Sequence, residues 1–319
     1  MTAISPDQIV VRKPPKGATL DPLFKYVCFA AATALLASLT GIVISLAIGG
    51  WPAFHKFGLG FLFSTTWNPV TEVFGAAGPI VGTVVTAVLA LLFALPVAFG
   101  VAVFLVEFCP SFLKRPIGVA VELLAGIPSI VYGMWGLFVF APWFAMHIEL
   151  PVMAAAPPGS IWETLTQGVP NGANILTACI VLAIMILPYM AAVLRDLFMT
   201  VPDHLRESGY GMGSTTLEVI GSITLPYVRR SAVGAVMLGL GRALGETMAV
   251  TFIIGNSHNL PKSMFDSGST IASTIANEFN ESTEALHTAS LIALGLVLFM
   301  ITFGVLAIAR ALLGADKPG

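Results

Sequence analysis

Charge is what this 319-residue sequence has least of: Asp, Glu, Lys and Arg make up 10% of it, against about a quarter in soluble domains. Hydrophobic residues make up 56%, and the mean hydropathy is +0.90. A soluble fold of this length could not hide so much apolar surface, whereas a bilayer can, so the membrane class comes first. Cysteine is scarce too. Cys28, Cys109 and Cys179 each lie in or beside an apolar run, none at metal or redox spacing. They read as small packing residues, and no disulfide framework is expected. No Gly-Lys dipeptide occurs, which excludes a phosphate-cradling loop of the G-x-x-x-x-G-K-[ST] kind. H-E-x-x-H and G-x-S-x-G are also missing, so no catalytic residue of those metalloprotease or esterase types is indicated. No metal, cofactor or nucleic-acid partner is expected. The first 25 residues are polar, hold Pro14-Pro15, and do not read as a secretory signal.

Six apolar runs are long enough to span, at about 26–50, 78–106, 117–146, 173–194, 231–255 and 288–309. They lack the alternation of a barrel strand, so the expected class is all-α integral membrane with six transmembrane helices. Pro96, Pro128 and Pro188 fall inside these runs, as packing kinks or as bends beside a cavity. Loop charge sets the orientation. One side receives Arg12, Lys13, Lys16, Lys25, Lys114, Arg115, Arg195, Arg206, Arg229, Arg230, Arg310 and Lys317; the other receives Lys56 and Lys262. Twelve against two predicts both termini on the cytoplasmic side, with cytoplasmic tails at 1–25 and 311–319. The outer loops, about 51–77, 147–172 and 256–287, carry Glu72, Glu149, Glu163, Asp266, Glu278, Glu281 and Glu284. In the third, Ile271, Ile275 and Phe279 follow Ser269 and Thr270, which predicts a capped amphipathic helix at the outer membrane face.

The loop between the fourth and fifth runs, 203–228, is patterned beyond a connector. It reads RESGYGMGSTTLEVIGSITLP from Arg206 to Pro226. Glu207 is expected to begin a short polar helix, Gly209, Gly211 and Gly213 a flexible break, and Thr215 and Thr216 the cap of a second helix. Such a unit suits docking into another protein's groove. Glu207, Gly213, Ile223, Leu225 and Pro226 stand at the spacings of the cytoplasmic signature of binding-protein-dependent ABC importer permeases: E-A-A, three residues, Gly, nine residues, I-x-L-P. Ser208 and Gly209 replace the two alanines with other small residues. The resemblance covers about 75–310 and implies the type I ABC importer permease fold, with Glu207, Ser208, Gly209, Gly213, Ile223, Leu225 and Pro226 as the element that inserts into an ATPase subunit. With no phosphate loop in the chain, hydrolysis would fall to that partner.

The fifth run holds Arg242 and Glu246, four apart, a spacing that places them on one helical face. A charge at mid-bilayer costs at least about 2.5–3.5 kcal/mol, so it normally faces a cavity or a partner. Arg242 offers a fork of donors to a crossing oxyanion, and Glu246 would hold it and temper anion binding; the bland reading is an ion pair that fixes packing. Ser129, Tyr132 and Thr247 are candidates to add neutral hydrogen bonds. Gly241 and Gly245 share the same spacing and would allow close approach of a neighbouring helix. GLGRALGETMAVTFIIGN (239–256), ELLAGIPSIVYGMWGLFVFAP (122–142) and LKRPIG (113–118) resemble the phosphate-specific ABC importer permease family of the PstC type; the sister PstA type usually has Ala-Pro where Met248-Ala249 stand. The resemblance implies a heterodimer with a PstA-type permease, two cytoplasmic ATPase subunits and a periplasmic phosphate-binding protein. It also implies inorganic phosphate as substrate, the bacterial inner membrane and its lipid as the setting, and Arg242 and Glu246 as transport-sensitive charges. The rival readings are a permease for sulfate or molybdate, a proton-coupled carrier with Glu246 as relay, and an integral-membrane enzyme.

Overall fold

A computed structural model describes residues 21–314, with the side chains of 22–311. Arg12, Lys13, Lys16, Lys317 and Pro14-Pro15 lie outside the described residues. The predicted tails are described only over 21–25 and 311–314, and there the chain is helical. Contacts divide the chain into two units, one ending at Ile48 and one beginning at Gly49.

The first unit is the leading part of α1 (Asp21–Phe57). Its side chains from 22 to 48 are exposed or half-buried and almost wholly apolar, a surface that suits lipid on every side.

The second unit starts with the end of α1 and continues through α2 (Ala77–Phe108), α3 (Ser111–Ala125), α4 (Ser129–Ala155) and α5 (Ile175–Met199). Then come α6 (Asp203–Gly211), α7 (Thr216–Val219), α8 (Leu225–Leu244), α9 (Met248–Ile253), α10 (Ile271–Glu278) and α11 (Ala285–Gly314). Among the described residues there is no strand; two isolated bridges are the only β pairing. Among the described residues, five helices are long and apolar enough to cross a membrane: α1, α2, α4, α5 and α11.

Helix α5 is the hub. It packs most extensively on α2, and then on α8 and α3. Ala87, Ala90, Ala94, Ala98 and Ala102 are fully buried along α2. They recur every three or four residues, so they form one stripe, and small side chains there bring two backbones close. From α5, Leu182, Ile186, Met190 and Leu194 fill the facing space.

Two predicted spans and one predicted loop need correction. The run 117–146 is two helices. Helix α3 ends at Ala125, and Pro128 precedes the start of α4 at Ser129; because the residue before a proline is pushed out of the helical region, the chain breaks there. Pro96 and Pro188, by contrast, lie inside continuous helices. The run 231–255 is likewise interrupted between Leu244 and Met248. The second outer loop is shorter than the predicted 147–172, because α4 continues through Glu149 to Ala155.

The loops predicted for the outer side do gather at one end. Met264 N–H donates to the Leu165 carbonyl (3.0 Å), and Ile175 N–H to the Asp266 carbonyl (3.2 Å). The Trp67 indole donates to Glu278 (2.9 Å). Thr270 caps α10 as predicted, in a reciprocal box with Ser273. Yet the first half of α10 is not at a surface: Ile271, Ala272, Ser273 and Thr274 are buried, and the helix packs on α2, α9 and α11. The Ile271 N–H is held by the Thr83 hydroxyl of α2 (2.9 Å).

Candidate functional site

The predicted charge pair sits where the fifth predicted span is broken. Helix α8 stops at Leu244, with Gly245 as its cap, and α9 begins at Met248. Arg242 is in the last turn of α8, whereas Glu246 is in the break, so the two do not share one continuous helical face. Among the described residues no ion pair joins them. The Glu246 carboxylate instead takes the Ala249 N–H (3.4 Å) at the start of α9. The Arg242 guanidinium lies over the Tyr189 ring of α5, 5.7 Å from its centroid, a geometry in which the ring face attracts the cation. Arg242 is exposed, and Glu246 and Thr247 are half-buried. Broken helix at membrane depth is tolerated where it is buried in protein or lines a water-filled cavity.

Helix α9 is fixed by α4. Gly133 of α4 lies so close to Phe252 and Ala249 that an added methyl would sit 2.9 Å from the Phe252 ring and 3.0 Å from the Ala249 Cα. Tyr132, next in the chain, is half-buried, donates to the Leu124 carbonyl (3.1 Å) and is near enough to Arg242 to feel its charge. The structure therefore brings together Arg242, Glu246, Thr247 and Tyr132, and adds Tyr189, which the sequence did not single out. Ser129 starts α4 and, among the described residues, hydrogen-bonds to none of them. The expected role of Gly241 and Gly245 in close packing does not hold within this chain. A methyl on Gly241 would meet only Leu306 at 3.9 Å, whereas one on Gly239 would meet the Met190 sulfur at 2.7 Å. Gly239 is the point of close approach to α5.

The 203–228 loop folds as helix, break, helix, with its boundaries shifted. Helix α6 begins at Asp203, before Glu207, and includes Gly209 and Gly211. The break is 212–214, where Gly213 has φ +85°, a conformation that favours glycine. Gly209 is small for a packing reason: a methyl there would lie 2.7 Å from Ile223 and 3.0 Å from Val219. Thr215 caps α7 in a box with Glu218. Its backbone N–H and hydroxyl donate to that carboxylate and hold it below the ordinary value. Glu207, Ser208 and Pro226 are exposed, while Ile223 and Leu225 are half-buried. A π turn, Ile220–Thr224, leads into α8.

A family model described as "Binding-protein-dependent transport system inner membrane component" matches residues 94–313, a stretch that holds both the 203–228 loop and the α8–α9 break. The chain belongs to this permease family. Membership makes it the membrane component of a transporter rather than an enzyme. Three curated relatives extend the match to nearly the whole chain. "Phosphate transport system permease protein PstC" of Mesorhizobium japonicum is 52% identical, covering 93% of this chain and 90% of the relative. The Haemophilus influenzae protein of that name is 51% identical, over 92% and 93%. PstC 2 of Mycobacterium tuberculosis is 38% identical, over 94% and 93%. Among solved structures, a bacterial alginate ABC transporter in complex with its alginate pentasaccharide-bound periplasmic protein aligns with a TM-score of 0.59 at 14% identity, over 92% of this chain and 95% of that one. The MetNI methionine ABC transporter aligns with a TM-score of 0.55 at 13% identity, over 79% and 100%. At such identities these two show the fold alone, that of an ABC importer permease.

Proposed function

We propose that the chain is the permease subunit of an ATP-driven importer of inorganic phosphate, with Arg242 as the cation that phosphate meets in the membrane. The observation that carries this reading is the α8–α9 break: Arg242 stands beside interrupted helix, over an aromatic ring, with no carboxylate in ion-pairing range among the described residues. Phosphate near neutral pH carries one to two negative charges, which an apolar path rejects; a guanidinium supplies planar, charge-assisted donors. Glu246, held by the Ala249 N–H, stands close in sequence and opposes over-tight binding. Thr247, Tyr132 and Ser129 are candidate neutral contacts. The names of the curated relatives support phosphate over sulfate or molybdate.

The reading assigns the acidic-loop end to the periplasm, both termini to the cytoplasm and the protein to the inner membrane. The assembly is a heterodimer with a PstA-type permease, two ATPase subunits and a periplasmic phosphate-binding protein. The exposed Glu207 and Ser208, with Gly213, Ile223, Leu225 and Pro226, form the ATPase docking element. Closure of the ATPase pair pulls on this loop, the spans rock outward, and hydrolysis resets them inward.

The test is phosphate uptake in cells whose own permease is deleted, with sulfate and molybdate as competitors. Restored uptake that neither competitor reduces fits the proposal. Restoration of sulfate or molybdate uptake alone contradicts it. Uptake that persists without any ATPase subunit but collapses with an uncoupler points instead to a proton-coupled carrier.

A further inference from the structure

Arg206 immediately precedes the docking signature, on α6, and is not solvated like its neighbours. Its side chain is 15% exposed, and Nη1 faces Glu107 Oε1 at 3.6 Å; the Glu107 side chain is 8% exposed. Nη2 donates to the Phe198 carbonyl at 2.5 Å, in the last turn of α5, where carbonyls have lost their helical partners. One guanidinium thus touches three elements: the docking helix, the end of α2 and the end of α5. Glu107 sits in a π turn, Phe104–Phe108, that closes α2, and such turns are frequent at functional sites.

The contact with Glu107 is only half made. Glu107 Oε1 and Arg206 Nε are buried with no hydrogen-bond partner. A buried charge pair without its hydrogen bonds is unfavourable, and breaking it outright is worse. Its energy therefore changes steeply with small movements of α6 against α2. A cavity of about 450 Å³ opens beside it, lined in part by Val106, Lys114, Met199, Asp203 and Arg206, which leaves room for that movement.

We propose that Arg206 and Glu107 form a strut through which movement of the docking helix reaches the spans α2 and α5. Both are positioning residues, and the proposal rests on the reading of the 203–228 loop as the ATPase docking element. The test uses the complete transporter in proteoliposomes with inorganic phosphate, measuring ATP hydrolysed per phosphate taken up and ATPase retained on purification. Glu107→Asp shortens the carboxylate by one methylene, and Arg206→Gln removes the charge. Each is expected to keep the ATPase subunits bound while raising ATP per phosphate roughly ten- to a hundredfold, the usual range of a coupling free energy. The exchange Glu107→Arg with Arg206→Glu is expected to recover part of the loss. Parental stoichiometry in Glu107→Asp, or loss of the ATPase subunits in both single variants, overturns the strut. Glu207→Lys separates the two ideas. If it leaves ATPase binding and uptake untouched, the docking reading fails; if it abolishes uptake while Glu107→Asp has no effect, only the strut fails.

Discussion

Helix α5 runs unbroken for 25 residues, whereas the neighbouring segment from Leu225 to Ile253 is interrupted at Gly245–Thr247. Two-thirds of the apolar stretch of α5 is buried. Its first turn is completed by Asn174, whose side chain takes the Thr177 N–H (2.9 Å) and donates to Glu149 (2.5 Å). Glu149 is 0% exposed and also accepts from the Gly172 N–H (3.1 Å). The Asn174 amide and the Glu149 carboxylate at that end of α5 are thus met from within the chain, although the Thr177 hydroxyl has no hydrogen-bond partner among the described residues. The broken segment is the opposite: its Arg242 is exposed and its helix is incomplete. On the proposed reading, the difference separates the part of the permease that holds shape from the part that would meet solute. Satisfied polar groups fix a helix end, and unsatisfied ones at membrane depth mark a path.

Healing the break is the most direct way to erase this contrast. Gly245→Ala with Thr247→Ala favours continuous helix, and a methyl at 245 meets nothing closer than the Gly241 carbonyl at 3.7 Å. Uptake is expected to fall by about tenfold or more while thermal stability stays level or rises, since glycine in a helix costs about 0.5–1 kcal/mol against alanine. Stability and transport falling together would mean that the break is structural. On the scaffold side, Gly239→Leu drives a side chain into Met190 and should destabilise by about 1–3 kcal/mol; a detergent-extract melting curve reads it. Asn174→Ala strips partners from Glu149 and should cost about 1–3 kcal/mol, with uptake per folded molecule unchanged. A fall in uptake per folded molecule would place Glu149 in the path.

The smallest effect concerns the Glu278 cluster at the acidic-loop end. Burial pushes this carboxyl up, but hydrogen bonds from His258, Trp67 and His287 outweigh it and leave it below the ordinary value of 4.5. A depressed folded value means that the stabilisation is present above the unfolded value and lost as pH falls through the folded one. Amide exchange along α10, corrected for intrinsic rate, should therefore be flat from neutrality to about pH 4.5 and faster below it. Unchanged protection in acid would remove Glu278 from the account of that end.

Much of this contrast is legible in the sequence. Apolar length located α1, α2, α5 and α11, because a span needs a fixed number of residues. The 203–228 loop declared itself through Gly213 and the Thr215 cap, both local signals. What stayed hidden depended on tertiary contact. The spacing of Arg242 and Glu246 presumed a helix that Gly245 ends. The glycine spacing predicts a flexible break that includes Gly209, although Ile223 and Val219 pack against it. The periodicity of Ile271 and Ile275 pointed to an interfacial helix, yet α2 and α11 cover it. Tyr189 and the Arg206–Glu107 pair carry no sequence mark, since only the fold joins residues so far apart in the chain.

The central claim is that Arg242 meets the anion. Arg242→Leu and Arg242→Lys, expressed to parental levels with the complete transporter, should be measured for phosphate uptake. The account predicts loss of roughly a hundredfold or more for leucine, with ATPase subunits still bound, and a smaller loss for lysine, which keeps charge but not the planar fork. Uptake within about twofold of the parent in Arg242→Leu, a difference below about 0.4 kcal/mol, would contradict it.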